Sequence, residues 1–223
     1  SLPAFRPLAR VIRIAMQRLP MALLRPFLMK FLVTVLEPAP NLFAAGAILI
    51  GSKGELVADW DDDRIAALGA VHDHRGYILF DGAIAAAFES WPNYISTAPG
   101  IAYAYLSDYR RNRADLFHSA PTLEAVAAQL GIPGQAIRAA VDAVNAKREG
   151  ASDRAPQPLS NGPFYLLGPA KLLIPFTDGG LAVDTSHRVL NAGGAPIPGL
   201  YAAGSTGQGG LLLEGHGHHL GWA

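Results

Sequence analysis

Gly204, Gly207, Gly209 and Gly210 stand within seven residues, directly after the apolar run Leu200 to Ala203. A strand that leaves through glycines can take positive φ and bring bare backbone N–H groups close to a ligand. Such turns suit phosphates and the edges of planar heterocycles, whose acceptors match backbone donors. A tight turn at a sheet edge has the same composition. Further on, His216, His218 and His219 follow Glu214, the nearest carboxylate able to orient one of them. An imidazole titrates near neutrality, so His218 or His219 can hold a proton or bond a carbonyl. Three close histidines, with His72 and His74 to add, also raise zinc or nickel. The chain has no cysteine, and the surrounding glycines favour a loop beside a ligand, so no metal site is expected. Arg64 follows Asp61, Asp62 and Asp63. It is either one half of a surface ion pair with one of them or a cation reserved for chemistry.

These residues need elements to place them. Ala47 to Asp59 reads as two apolar runs around Gly51-Ser52-Lys53-Gly54, a β-hairpin. "GYILFDGAIAAAF" begins as a strand and turns into an alanine-rich helix after Asp81. Thr122 opens a helix that stops at Gly131, Pro133 sits in the turn, and a second helix runs to about Lys147. That makes an αα-hairpin. A polar connector rich in Pro and Ser covers Ala151 to Gly162, after which the texture changes to short strands, "FYLL", "KLLIPF", "GLAVD", "RVLN" and "GLYAAG". The expected domains are therefore 1–160 and 161–223.

At the other end, Arg6, Arg10, Arg13, Arg18, Arg25 and Lys30 all precede the first acid, Glu37, among apolar residues, with Pro20 and Pro26 dividing the stretch into short helices. Two readings stand: core helices with basic residues at the rim, or a basic amphipathic surface facing anionic lipid or guarding a lipophilic substrate's entry. Half the 223 residues are hydrophobic, 16% are charged, and eighteen basic residues balance eighteen acidic ones. This is a globular composition with no general electrostatic case for nucleic acid. No apolar run reaches the roughly eighteen residues that span a bilayer. A cytoplasmic location is expected, with membrane association as its variant. Ser1 at the start, and an end where a helix should begin, predict a piece of a longer protein.

The order of the late segments is the most specific feature. A Gly-Gly-Leu strand, Asp184, an Arg-Val-Leu strand, a glycine turn and then Pro-Ile-Pro-Gly-Leu-Tyr-Ala-Ala-Gly resembles the C-terminal part of one family. This is the flavoprotein superfamily of fumarate reductase, succinate dehydrogenase and 3-ketosteroid dehydrogenase. The hairpin, the helix pair followed by Asp153, and "GPFYLL" extend the resemblance over about residues 42 to 223. It implies an α+β fold: a helical and β-hairpin capping domain, then the C-terminal, β-rich segment of a Rossmann-like FAD-binding domain. It also implies FAD, with Ala203, Gly204, Ser205, Gly209, Gly210 and Leu220 at the cofactor, and hydride exchange at a C–C or C=C bond beside an electron-withdrawing group. Candidate acids and bases are His219, His218 and Arg64; Arg64 falls about where fumarate reductases carry the arginine that delivers a proton. Ketosteroid relatives use tyrosines for this, which adds Tyr94, Tyr103, Tyr105 and Tyr109, whose other reading is core or rim packing.

The departures from the pattern carry information too. The dinucleotide-binding fingerprint of the family's first strand–turn–helix is missing, so the N-terminal FAD-binding half is an expected partner, from the same precursor or a second chain. Ser205 stands where many relatives have Glu. Phe176 replaces a substrate-binding His and His219 a substrate-clamping Arg. A dicarboxylate thereby loses two partners, and the expected small-molecule substrate is a lipophilic enone or steroid-like molecule rather than fumarate. The alternative is a binding or interaction module without flavin chemistry.

Overall fold

The structure, a computed structural model, describes residues 25, 26, 29, 30, 32–34, 38–98, 102–149, 151, 155–171 and 180–207. The chain divides into two compact units, Ser1–Leu172 and Leu173–Ala223.

The first unit is built on a hairpin whose first strand is buried at every position. Strand β1 (Ile48–Gly51) carries no polar side chain and is covered on both faces; it pairs with β2 (Leu56–Ala58) through the expected turn. Gly54 in that turn has φ +87°, and a Cβ there would lie 2.9 Å from the Ala136 methyl, so only glycine lets the turn pack on the helix beside it. With β3 (Arg75–Phe80), β6 (Phe117–Ala120) and β7 (Phe164–Lys171), the hairpin makes an antiparallel sheet of order β2-β1-β3-β7-β6. Cross-strand partners put Ile78 opposite Leu167, Leu79 opposite Leu166 and Phe80 opposite Tyr165. The Phe80 and Tyr165 rings stack with centroids 5.4 Å apart. A separate ribbon pairs β4 (Ser96–Ala98) with β5 (Ala102–Ala104).

Side-chain caps fix where the helices start. Helix α1 (Pro40–Ala44) leads into β1. Asp63 accepts from the second and third N–H groups after it to open α2 (Arg64–Ala70). Asp81 does the same for α3 (Gly82–Ala87), while its other oxygen accepts from the backbone of Ser160 at 3.3 Å and Asn161 at 3.1 Å. The change from strand to helix at Asp81 is thus a capping event. Helix α4 (Leu106–Asn112) follows the ribbon. Thr122 caps α5 (Leu123–Ala128), Gly131 ends that arm at φ +69°, and α6 (Gly134–Glu149) packs on α5 to complete the expected helix pair. Ile137, Val141 and Val144 form the buried stripe of α6, and Arg148 continues the same stripe in place of an apolar residue. Helix α5 packs on β6 and β7, and α2 and α6 on β2.

The described part of the basic N-terminal stretch is docked here. Met29, Leu32 and Val33 are buried in the main core. The Arg25 guanidinium donates to both Asp108 carboxylate oxygens, at 3.3 and 3.1 Å, and Arg113 donates to the Val33 carbonyl. These contacts match the reading of core helices with basic residues at the rim; residues 1–24 lie outside the described part. Among the described residues no helix is long and apolar enough to cross a membrane.

In the second unit β8 (Arg188–Leu190) and β9 (Pro196–Tyr201) form an antiparallel hairpin. Asn191 shapes its turn by accepting from Gly193 and Ala195. Strand β7, which follows the polar connector, pairs with β3 and β6 and lies in the first compact unit. The fold is α+β, as expected.

Candidate functional site

The approach to Arg64 is built from buried charge. Asp59, just past β2, is fully buried. Its Oδ1 accepts from Arg148 Nη2 at 2.6 Å and from the Trp60 N–H at 2.7 Å. Arg148 also donates to the carbonyls of Gly46 at 3.0 Å and Gln157 at 3.2 Å. The arginine that ends the α6 stripe therefore ties the hairpin, the turn after α1 and the connector together.

The three aspartates that follow are each engaged. Asp61 accepts from Lys147 Nζ at 2.7 Å, and that hydrogen bond holds its carboxyl below the usual range. Asp62 accepts from the Asp59 N–H at 2.8 Å. Asp63 caps α2 through the Ile65 and Ala66 N–H groups, at 3.0 and 3.1 Å. The surface ion pair considered for Arg64 is not formed with any of the three. Its guanidinium carbon instead lies 4.4 Å from the centroid of the Phe43 ring, on α1. Sequence reading passed over Phe43, Asp59 and Arg148. Arg148 had a usable signal: a charge in line with Ile137, Val141 and Val144 needs a buried acid.

In the second unit, β9 is exposed at all six positions, with Leu200 43% and Tyr201 63% accessible. The chain then turns inward at buried Ala202, passes exposed Ala203 and enters a 3-10 turn, Gly204–Gly207. Gly204 has φ +60°. A Cβ on Gly207 would lie 2.7 Å from the Ala202 carbonyl oxygen, so the turn folds back on its own strand as only bare backbone can. The Leu181 N–H bonds the Thr206 carbonyl at 2.8 Å and fixes the turn from the other side. Ser205 belongs to this turn. Gly209, Gly210, Leu220, His216, His218, His219, Glu214 and Phe176 lie outside the described residues.

The tyrosines divide by environment. Tyr109 is buried and donates to Ser96 Oγ at 3.0 Å; burial pushes its phenol up, against the pull of that hydrogen bond. Tyr105 precedes α4 and donates its backbone N–H to Asp108. Tyr94 and Tyr103 pack ring to ring at 5.0 Å, with Trp91 edge-on to Tyr103. Among the described residues no three His, Asp or Glu side chains converge to hold a metal. A groove of about 360 Å³ between α5, α6 and the connector is lined by Thr122, Arg138, Asn145, Ser160 and Phe164. Asn145 spends both ends of its amide on the Leu159 backbone and Arg138 pairs with Glu124, so this groove is a packing seam.

Residues 56–212 match the model of the family described as FAD binding domain. The chain is 27% identical over 176 residues to NADH:fumarate oxidoreductase of Klebsiella pneumoniae, a match covering 74% of this chain and 17% of that protein. It is 34% identical over 108 residues to 4-oxocyclohexanecarboxylate 2-dehydrogenase of Sinomonas cyclohexanicum, covering 38% of this chain and 19% of that protein. The fold is similar to 3-ketosteroid delta1-dehydrogenase from Sterolibacterium denitrificans, solved with 1,4-androstadiene-3,17-dione. There the TM-score is 0.52 at 20% identity, over 74% of this chain and 34% of that one. The chain thus spans less than a fifth of the length of these curated relatives. In the described turn Gly204 takes a conformation that side chains resist, and a Cβ on Gly207 would run into the Ala202 carbonyl of its own strand, so bare backbone is required at both places.

Proposed function

The chain belongs to the FAD binding domain family, and from that premise we propose that it works as part of an FAD-dependent oxidoreductase of the fumarate reductase and 3-ketosteroid dehydrogenase flavoproteins. The reaction is at a C–C or C=C bond beside an electron-withdrawing group, and the substrate is a lipophilic cyclic enone rather than fumarate. FAD, when bound, supplies hydride exchange. Ala203, Gly204 and Ser205, joined by Gly209, Gly210 and Leu220, hold it through backbone. Arg64 donates guanidinium N–H bonds to the electron-withdrawing oxygen, where negative charge grows during the reaction. A guanidinium keeps its own proton, so this duty suits it better than proton transfer. An imidazole nitrogen of His218 or His219 carries the proton.

The observation that carries the reading is Arg64 beside three aspartates and paired with none of them, its cation resting on an aromatic face. The substrate class draws support from the relative named for a ring ketone and from Phe176 and His219 at the two positions where a dicarboxylate would need His and Arg. The partner is the remainder of the FAD-binding domain, on the same polypeptide or a second one. A lone two-stranded hairpin with an exposed outer strand is marginal in water, and Ile197, Leu200 and Tyr201 on β9 supply the apolar surface for it to pair.

The test uses the complete gene product. Its visible spectrum is recorded, the protein is reduced anaerobically with dithionite, and fumarate, 2-cyclohexenone or 4-androstene-3,17-dione is added. A flavin band that returns with the enones and not with fumarate is expected. A colourless protein would remove the cofactor from the reading, and recovery with fumarate alone would remove the substrate class.

A further inference from the structure

We propose that Phe43 is the positioning residue for Arg64, and that its ring is used because, unlike a carboxylate, it holds the cation without consuming its donors. The inference rests on the reading of Arg64 given above. A guanidinium beside carboxylates ordinarily closes into a two-bond pair with one of them. That pair takes two of the five N–H donors and offsets the charge. A ring face attracts the cation through its quadrupole and does neither. Here each neighbouring carboxylate has another partner, Asp61 in Lys147, Asp62 in the Asp59 N–H and Asp63 in the first turn of α2, and Arg64 pairs with none of them.

Both sides of the contact are fixed independently of it. Phe43 is 5% exposed within the main core. Its helix is held at one end by the Ala39 N–H on the Ile95 carbonyl at 2.7 Å, and at the other by the Gly46 N–H on the Phe43 carbonyl at 2.8 Å. Arg64 opens a helix whose cap and preceding loop are pinned by Asp63 and by the buried Asp59–Arg148 pair. Among the described residues no acceptor takes its donors, so the guanidinium is placed before any ligand arrives, with those donors left for one substrate oxygen that gains charge.

The test compares Phe43→Leu, Phe43→Trp and Arg64→Ala in the FAD-loaded complete gene product. One readout is the Arg64 Nε–Hε resonance; the other is kcat and KM with 2-cyclohexenone. In the parent and in Phe43→Trp the Hε resonance should be displaced by the ring current, and kcat should agree within about twofold. In Phe43→Leu the displacement should vanish and kcat should fall about fivefold with KM little changed. Should Phe43→Leu fail to fold, Phe43→Trp decides: loss of both the displacement and kcat overturns the proposal. Parental kcat in Phe43→Leu with Arg64→Ala impaired overturns the role of Phe43 and leaves that of Arg64 standing. Parental kcat in Arg64→Ala overturns both.

Discussion

Replacing Asp59 by Asn tests whether the buried ion pair organises the first unit. In the native protein Asp59 and Arg148 side chains are each 1% exposed, and the pair is closed at 2.6 Å. The substitution keeps shape and leaves Arg148 its two carbonyl partners, Gly46 and Gln157. What is lost is the compensating charge, and an uncompensated buried cation costs about 3–5 kcal/mol. Replacing Arg148 by Met removes the same pair and also strips the two carbonyls of their donor, adding about 1 kcal/mol for each lost bond. The double variant leaves no buried charge, so its loss should be only the carbonyl bonds, about 2 kcal/mol in all. Asp59→Asn and the double variant should therefore differ by at least about 1 kcal/mol in favour of the double variant, and the cycle should show strong coupling. The assay is a urea titration of the complete protein followed by tryptophan fluorescence, to which Trp60, whose backbone N–H bonds Asp59, contributes. Additive effects, or an Asp59→Asn variant within about 1 kcal/mol of the parent, would refute the reasoning.

Other consequences are quicker to check. Arg138 beside Glu124 holds that carboxyl down to about 2 from 4.5. The pair's contribution should be complete above pH 4.5 and be lost as pH falls towards 2; the melting-temperature gap between the parent and Glu124→Gln should close over that window. Both side chains are half-exposed, so 1 M salt should narrow the gap at pH 7 as well. Asp81→Ala removes the α3 cap and the acceptor for Ser160 and Asn161. It should cost about 2–3 kcal/mol, read as a lower urea midpoint. Gly207→Ala should lower FAD retention through gel filtration more than Gly204→Ala. Its Cβ meets backbone at 2.7 Å, whereas the left-handed φ of Gly204 costs an alanine only about 1 kcal/mol.

The parts legible in the sequence are those whose cause lies within a few residues. Thr122, Gly131 and the α6 stripe announce the helix pair, Gly51 to Gly54 the hairpin, and Asp81 the change from strand to helix. The glycine turn was legible in the same way and, with the order of the late strands, pointed to the family. What was not legible depends on pairs distant along the chain. Nothing near "FYLL" says that it joins β3 rather than the strands that follow it; the stacking of Phe80 on Tyr165 is a tertiary fact. Arg64 looked like the partner of its sequence neighbours because a string cannot show that Lys147 and the backbone already claim them. The tyrosines form one group on paper, and only burial separates Tyr109 from Tyr94 and Tyr103.

The position of β7 has a consequence for synthesis. It lies between β3 and β6 in the sheet although it is the last of the five strands in the chain. Until residue 171 has left the ribosome, β3 has one unpaired edge carrying Ile78, Leu79 and Phe80, and β6 has no sheet to join. Such edges are templates for wrong pairing, and contacts this far apart in sequence form slowly. A nascent chain stalled before Phe164 should therefore be a chaperone client, and one released after Lys171 should leave the chaperone as its first unit closes. The folding of that unit is timed by its final strand.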